Sequence, residues 1–258
     1  MNILIIGDIF GECGLEYLKL VYREICETEN ISFTIANAEN VSGGNGISRA
    51  DYYTLCDLGI DVITMGNHTF GRRDIITLSE NENNIIRPVN YPPSVPGKGY
   101  TKIKCGGKNI GIINAMGRVN LLNIDCPFTG VADTIDKLKN HCDMIFLDFH
   151  AEATSEKRAM GYFVDGKITC MFGTHTHVQT ADECILPKGT AYITDVGMTG
   201  AVHSVLGVSK DVIIERFLTG MPQKFEHASG KAKLCGAVVT VDDNTNRAES
   251  IKRILYTD

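Results

Sequence analysis

Short apolar runs alternate with amphipathic stretches through the first half of the chain. Residues 2–7, 33–36 and 62–65 are mostly apolar, which is typical of buried strands. Residues 16–27 and 50–58, which separate these runs, repeat their apolar positions with the period of a helix. Strands that alternate with helices form βαβ units, so this half of the chain predicts a mainly parallel sheet.

The middle of the chain is less regular. Residues 87–99 contain four prolines and predict an irregular loop. The adjacent glycines Gly106 and Gly107 predict the turn of a hairpin. Further helices are predicted at residues 133–142 and 155–163, on either side of an apolar strand that ends at His150.

The pattern changes again after residue 177. Short strands at residues 191–194, 232–241 and 250–255, with a turn at 242–246, predict antiparallel pairing and a second sheet. A helix is predicted between them at residues 209–218, with Ser209 at its N-cap. The simplest assembly is two sheets flanked by helices in a single domain, residues 1–258.

Composition narrows the class of protein. Hydrophobic residues make up 43% of the chain and charged residues 22%, as in ordinary globular proteins. No apolar run approaches the roughly 20 residues of a membrane span, and the amino terminus MNILIIGD lacks a basic leader. We therefore expect a cytoplasmic protein without a membrane partner. A net charge of -6 without a long basic run disfavours long nucleic acid as a partner.

The nine cysteines are scattered and form no CxxC pair. This spacing argues against a disulfide framework and against a thiolate zinc site. Cys13 lies close in sequence to Asp8, which leaves a redox-sensitive thiol and a small structural side chain as alternatives.

Candidate functional side chains follow five of the apolar runs. Each of these runs ends at carboxylate, amide or imidazole side chains. Open α/β sheets bind their ligands at the carboxyl ends of the strands. The side chains at these positions are Asp8, Asn37, Glu39, Asn40, Asn67, His68, His150, His175 and His177.

The segment ITCMFGTHTHV carries the strongest of these signals. Its histidines His175 and His177 are two residues apart, so in extended backbone both imidazoles point to the same side. One His-x-His pair is weak evidence for a metal site, but four similar strand ends strengthen it.

Several of these side chains have structural alternatives. Asp8 precedes a glycine-containing turn and can equally be a helix N-cap. Residues 37–40 can form a solvated turn, and His68 can coordinate a metal, donate a proton or cap a turn. Either Asp148 or Glu152 can orient His150, although Glu152 can also cap a helix. The remaining histidines, His141, His203 and His227, are interpreted as surface or structural residues.

The combined set of donors is rich in oxygen and nitrogen and contains no thiolate. Six protein ligands exceed the need of one catalytic metal with an open position, whereas two metals bridged by a carboxylate would use them. Such a set favours iron, manganese or zinc over calcium. A two-metal centre suits hydrolysis of a phosphoester, which is the reaction we expect.

The chain resembles the calcineurin-like metallophosphoesterases, and more closely their YmdB-like subfamily. The segments that carry the resemblance extend over nearly the full length and include GDIFG, NAEN, GISRADYYTLCDLGIDVITMGNHTF, DFHAEATSEK, GTHTHVQTAD and ILPKGTAYITDVGMTG. The resemblance implies a four-layer α-β-β-α sandwich of two mixed sheets flanked by helices. It also implies a centre of two divalent or trivalent metal ions, often iron.

The resemblance further implies a role for each strand-end residue. Asp8, Glu39, Asn40 and His177 would hold one ion, while Glu39, Asn67, His150 and His175 would hold the other. His68 would be the proton donor. The resemblance also implies an activity, the hydrolysis of cyclic nucleotides, notably of 2',3'-cyclic nucleotides to 3'-phosphates. The nucleophile would be a hydroxide that bridges the metals.

Two departures from the broad superfamily stand out. Phe10 occupies the place of a usual histidine, and Glu39 with Asn40 replaces a usual aspartate. Both departures look like features of the subfamily, and we expect them to change metal preference and geometry.

Two other functions remain open from the sequence. The chain can be a regulatory protein that binds a nucleotide and hydrolyses it incidentally, or a 5'-nucleotidase or nuclease with the same metals. Arg118 can contact phosphate or base at the rim, or form a surface salt bridge. Residues 42–45 and 195–200 are candidate walls of the pocket. Proteins of this kind also occur as homo-oligomers, although the sequence contains no readable interface.

Overall fold

A computed structural model describes all residues of the chain, 1–258. It contains six helices. They are α1 (Gly11–Thr28), α2 (Arg49–Leu58), α3 (Asp74–Asn81), α4 (Pro127–Leu138), α5 (Thr154–Val164) and α6 (Lys210–Thr219).

Fourteen strands complete the regular structure. They are β1 (Asn2–Ile6), β2 (Asp8–Ile9), β3 (Ile31–Asn37), β4 (Val62–Thr64), β5 (Ile85–Ile86), β6 (Tyr100–Cys105), β7 (Lys108–Met116), β8 (Met144–His150), β9 (Cys170–Thr174), β10 (Cys184–Ile185), β11 (Ala191–Ile193), β12 (Met198–Ala201), β13 (Ala232–Val241) and β14 (Ala248–Thr257).

The strands form two mixed sheets. The first has the order β2-β12-β13-β1-β3-β4-β5, with β14 paired to β13, and the second has the order β10-β11-β9-β8-β7-β6. The predicted parallel pairing in the first half is confirmed for β1, β3 and β4. The predicted sheet membership of the last strands is wrong, because β13 pairs antiparallel with β1 and returns to the first sheet with β14. The second sheet consists of strands from the middle of the chain.

The two sheets pack face to face, and helices cover both outer surfaces. Ile3 and Ile5 of β1 lie in one buried core with Phe146 and Phe172 of the second sheet. Leu4 points to the opposite face of β1 and packs in a second core with α1, α2 and α3. A third core lies between the second sheet and helices α4 and α5. The predicted four-layer α-β-β-α sandwich is therefore confirmed.

Helix boundaries follow local chemistry that the apolar pattern alone did not reveal. Helix α1 begins five residues before its predicted start and passes so close to β12 that a Cβ on Gly14 would lie 2.2 Å from the Thr199 carbonyl oxygen. Helix α4 begins at Pro127, a residue favoured in the first turn, and ends before its predicted end. Helix α2 starts one residue before its prediction, where the Ser48 side chain accepts a hydrogen bond from the Asp51 N–H.

The loop and hairpin predictions in the middle of the chain agree with the structure. Residues 87–99 contain no helix or strand, and the buried Arg87 organises them by donating to the carbonyls of Val95, Pro96 and Pro88. Gly106 and Gly107 join β6 to β7 with positive φ angles of 55° and 84°.

Two further sequence-based expectations concern cysteines and membranes. All nine cysteines are free. Burial and the nearby Asp258 raise the pKa of the Cys13 thiol, which disfavours a reactive thiolate and favours the structural interpretation. None of the helices is both long enough and apolar enough to span a bilayer.

Candidate metal centre

The polar residues at the five strand ends meet where the edges of the two sheets face each other. Asp8 and Glu39 come from the first sheet, and His150 and His175 follow β8 and β9 of the second. Asp8, Glu39 and His150 are almost completely buried, with at most 1% of their surface exposed. Parallel strands present their carboxyl ends at one edge, which explains why residues far apart in sequence converge here.

Glu39 lies at the middle of this cluster. Its Oε1 is 3.3 Å from His150 Nε2 and accepts a hydrogen bond from Asn40 Nδ2 at 3.0 Å. Its Oε2 accepts a hydrogen bond from the His68 backbone N–H at 2.8 Å. Donor atoms of Glu39, His150 and His175 all lie within 4.8 Å of one another, which is close enough for a shared cation.

Asp8 contributes a buried oxygen without a hydrogen-bond partner. Its Oδ2 accepts a hydrogen bond from the His175 N–H at 3.1 Å, whereas Oδ1 makes none. Oδ1 lies 3.8 Å from His177 Nε2 and 3.9 Å from His150 Nδ1. A buried carboxylate oxygen left unpaired is costly, so this atom fits a cation ligand.

Gly66 makes room for the next strand-end residue. A Cβ at Gly66 would lie 2.3 Å from His150 Nε2 and 2.5 Å from Glu39 Oε2, so the backbone here forms one wall of the cluster. The following residue, Asn67, places its Oδ1 2.9 Å from His150 Nε2. An amide oxygen in this position is a neutral metal ligand.

The orientation of His150 depends on a chain of hydrogen bonds through a threonine. Thr174 Oγ1 donates to Asp148 Oδ1 at 2.7 Å, so it accepts the bond from His150 Nδ1–H at 2.9 Å. This leaves His150 Nε2 facing Glu39 and Asn67. Of the two predicted orienting carboxylates, Asp148 therefore acts on His150 through Thr174.

Glu152, the other predicted partner, contacts a different histidine. Its Oε2 lies 3.2 Å from His175 Nε2, and His175 Nδ1 lies 3.1 Å from His150 Nε2. His177 is fixed similarly, because its Nδ1 donates to the Leu206 carbonyl at 3.1 Å and its Nε2 faces the cluster. Each histidine thus has one ring nitrogen held by a neighbour and the other directed inward.

Three of the six non-glycine residues with positive φ belong to this region. They are His175, His177 and Leu206, at 97°, 62° and 54°. The predicted extended geometry of the His-x-His pair is therefore wrong, and the imidazoles converge through a left-handed turn instead. Strained backbone of this kind persists where the surrounding structure fixes it.

Burial and mutual charge perturb the titration of the cluster. Burial lowers the pKa of His150, but the carboxylates of Glu39, Asp8 and Asp148 outweigh this and raise it to about 9. Burial and the neighbouring His150 lower the pKa of His175 to about 3. Burial raises the pKa of Asp8 and raises that of Asp148 to about 6.

The pKa of Glu39 shifts in the opposite direction to those of the other two carboxyl groups. Burial favours its neutral form, but the imidazoles of His150 and His68 dominate and hold the pKa of Glu39 well below its usual range. The central carboxylate is therefore an anion.

His68 lies at the solvent side of the cluster, with 41% of its side chain exposed. Its Nδ1 is 2.6 Å from Asn40 Oδ1 and 3.3 Å from Glu39 Oε1. The same Asn40 amide directs its Nδ2 to Glu39 and to His177 Nε2, at 3.0 and 3.2 Å. His68 is thus held through Nδ1 beside the other residues, with a ring nitrogen left for chemistry.

A cleft of about 570 Å³ opens over these residues. Of the predicted wall segments, Gly43, Gly44 and Asn45 line it, whereas Ser42 is buried and bonds Asp51. Residues 195–200 are buried and do not line the cleft, so that expectation is wrong. Arg118 is also absent from the lining, and its side chain forms no ion pair.

Sequence reasoning missed much of the opposite side of the cleft. The lining there includes Phe10, Leu206, Val208, Phe225 and His227. Phe10 packs edge-on against both His177 and His227, with ring centroids 5.7 and 5.5 Å apart. His227, interpreted from the sequence as a surface or structural residue, is exposed and also lines the cleft. Leu206, Val208, Phe225 and His227 lie outside the helices and extended strands, so no local period pointed to them, and Phe10 stood out only as the replacement for a usual histidine.

The donor set and the orphaned Asp8 oxygen fit a metal centre with carboxylate, amide and imidazole ligands. No thiolate takes part, and each imidazole is oriented by a neighbouring group at one ring nitrogen, which leaves the other nitrogen facing inward. The cleft gives a small molecule access to the cluster.

Comparison with known proteins agrees with this architecture. Residues 4–254 match the family described as YmdB-like protein. A Bacillus subtilis (strain 168) protein named 2',3'-cyclic-nucleotide 2'-phosphodiesterase is 45% identical over 258 residues, which cover 100% of this chain and 98% of the relative.

Two crystal structures share the whole fold. A hypothetical protein from Thermus thermophilus is 37% identical, with a TM-score of 0.94 and coverage of 100% of both chains. A structure described as a novel phosphatase from Mycoplasma pneumoniae is 35% identical, with a TM-score of 0.94, and covers 100% of this chain and 93% of the other.

Proposed function

The chain belongs to the YmdB-like protein family. We propose that it is a metal-dependent phosphodiesterase that opens 2',3'-cyclic nucleotides to 3'-phosphates. The observation that carries the proposal is the buried cluster of Glu39, His150 and His175 beside the unpaired oxygen of Asp8. The relative from Bacillus subtilis, which has the corresponding name, supports the choice of substrate class.

We assign two cations to this cluster, each with four protein ligands. Asp8, Glu39, Asn40 and His177 would hold one, and Glu39, Asn67, His150 and His175 would hold the other. The position of Glu39 between His150 and Asn40 supports a bridging role. Iron suits this mixed oxygen and nitrogen set, as do manganese and zinc.

Asn40 must rearrange to act as a ligand. Its Nδ2 faces Glu39 and His177, while its Oδ1 faces His68. A half-turn of the amide would direct Oδ1 to the cation and Nδ2 to the His68 ring. The amide would then connect the metal ligands to the proton donor.

When bound, the metals would supply Lewis acidity to the phosphoryl oxygens and an activated water as nucleophile. The protein's own contribution at the leaving group is His68, whose ring is exposed to the cleft and held by Asn40 and Glu39. We assign to it protonation of the ribose 2' oxygen as the phosphorus–O2' bond breaks. The phosphate then remains on the 3' oxygen.

The test combines metal analysis with product identification. Purified protein is analysed for iron, manganese and zinc, and is then incubated with 2',3'-cyclic AMP, 3',5'-cyclic AMP, 5'-AMP and a short RNA. We expect about two metals per chain and selective formation of 3'-AMP from the 2',3'-cyclic substrate.

Other outcomes would favour the other functions. Tight binding of 2',3'-cyclic AMP without product in single-turnover experiments would indicate a regulatory binding protein. Faster hydrolysis of 5'-AMP or RNA would indicate a nucleotidase or nuclease. Product formation that persists at full rate after complete removal of metal would contradict metal dependence.

A further inference from the structure

One side of the cleft carries an apolar surface that the proposed chemistry does not use. It consists of Leu206, Val208 and Phe225, which we call the apolar wall. Leu206 and Phe225 expose 47% and 48% of their surface, although both lie in a cleft whose other side is polar. Neighbouring exposed apolar side chains in a concave site are typical of ligand contacts.

The apolar wall is built from two chain segments that pair with each other. Val208 forms an antiparallel bridge with His227. The Ser209 N–H donates to the Glu226 carbonyl at 2.8 Å, and the Ala228 N–H donates to the Gly207 carbonyl at 2.9 Å. These bonds hold both segments in a fixed relation, so the wall exists before any ligand binds.

Leu206 connects the apolar wall to the metal centre. Its carbonyl accepts the hydrogen bond from His177 Nδ1, and its φ angle of 54° is one that a leucine rarely adopts. The next residue, Gly207, packs against the Phe10 ring so closely that a Cβ there would lie 2.3 Å from it. The backbone conformation that orients His177 therefore also displays the Leu206 side chain in the cleft.

Phe225 has the properties of a stacking surface. The guanidinium of Arg216 lies over its ring, 5.0 Å from the centroid, and this cation–π contact holds the ring in place. None of the wall residues carries a charge, and neither lysine nor arginine occurs among the 15 residues that line the cleft. Such a wall suits a neutral, planar group better than a second phosphate.

We propose that the apolar wall is the nucleobase subsite, with Phe225 as the residue on which the base stacks and Leu206 and Val208 as its apolar support. This inference rests on the proposed function, because the phosphate of the same nucleotide must lie at the metal centre. The cleft volume of about 570 Å³ is within the range of small-molecule sites. Stacking tolerates every base, so the subsite accepts all four and favours purines by their larger area.

The test compares substrates with and without a base on the metal-loaded protein. Phe225→Ala is measured with 2',3'-cyclic AMP and with methyl riboside 2',3'-cyclic phosphate, which lacks the base. We expect KM for 2',3'-cyclic AMP to rise about tenfold, within the range for loss of one base–aromatic stack. For the base-free substrate we expect KM to stay unchanged, and Phe225→Tyr should retain the wild-type KM for both.

A matched control removes a phenyl ring outside the cleft. Phe217 lies on α6 with 83% of its surface exposed, and it does not line the cleft. Phe217→Ala should leave both KM values unchanged. An equal rise for both substrates in Phe225→Ala, or no rise for 2',3'-cyclic AMP, would overturn the base subsite.

A binding measurement separates this proposal from the proposed function. Titration calorimetry of the metal-loaded protein with 3'-AMP and with ribose 3-phosphate needs no turnover. We expect Phe225→Ala to weaken binding of 3'-AMP about tenfold and to leave ribose 3-phosphate unaffected. If this difference is found in a protein without hydrolytic activity, the base subsite stands and the diesterase proposal fails. Equal affinity of both ligands for the wild type would refute the base subsite.

Discussion

Replacing the buried Lys157 with methionine should both destabilise the protein and loosen the histidine turn. The Lys157 Nζ lies 2.6 Å from Asp195 Oδ2, and neither side chain is exposed to solvent. The same Asp195 oxygen accepts hydrogen bonds from the N–H and hydroxyl of Thr176, at 3.1 and 2.8 Å. Thr176 separates His175 from His177, so the ion pair anchors the turn that directs both imidazoles inward.

The expected magnitude follows from what remains around Asp195. Removing one partner of a buried ion pair costs about 3–5 kcal/mol, because the other charge is left without compensation. Asp195 keeps three donors, two from Thr176 and the Gly197 N–H at 2.8 Å. We therefore expect about 3 kcal/mol for Lys157→Met, which corresponds to a fall in Tm of roughly 6–12 °C for a chain of this size.

The assay is urea and thermal unfolding of the metal-free protein, together with metal affinity measured against a chelator. The double variant Lys157→Met/Asp195→Asn removes both charges and should recover part of the lost stability. The control is Lys139→Met, which breaks an exposed ion pair with Asp136 of similar length, 2.7 Å, and should leave the midpoint unchanged. A loss below about 1 kcal/mol in Lys157→Met, or a double variant no more stable than the single one, would refute the reasoning.

Three further predictions concern the centre itself. His68→Ala should lower kcat for 2',3'-cyclic AMP by about 10²–10⁴-fold and leave the metal content unchanged. The control is His141→Ala, which changes an exposed histidine outside the cleft. Loss of metal in His68→Ala would instead make His68 a metal ligand or a structural support. Thr174→Val removes the hydroxyl that lies between His150 and Asp148. Metal affinity, measured by competition with a chelator, should therefore fall about 10–100-fold. An unchanged affinity would argue against an orienting role for Thr174. Because the pKa of His150 is raised to about 9, its imidazole holds a proton at neutral pH that a cation must displace. Metal binding should thus release protons, and metal affinity should weaken as the pH falls. The proton release can be measured by calorimetric titration in buffers of different ionisation enthalpy. If no protons are released, the proposed competition between proton and metal is excluded.

The parallel strands β1, β3 and β4 of the first sheet, and the polar residues that follow them, could be predicted from the sequence alone. Continuous apolar runs and helical stretches of period 3.6 are local features of the sequence, so β1, β3 and β4 could be located without coordinates. The polar residues after these runs could be placed at one edge for the same reason, because parallel strands share their direction. The four-layer arrangement came from resemblance to a family, and the three separate cores bear it out.

Contacts between segments that are distant in the chain became visible only in the folded protein. The last two strands read as antiparallel from their pattern, but their return to the first sheet depends on pairing between β13 and β1, more than 200 residues apart in the chain. Glu152 was two residues from His150 in sequence, yet it contacts His175, because the backbone between strand and helix turns it away. Leu206 and Phe225 line the cleft through pairing of two loop segments, and such contacts have no local period to reveal them.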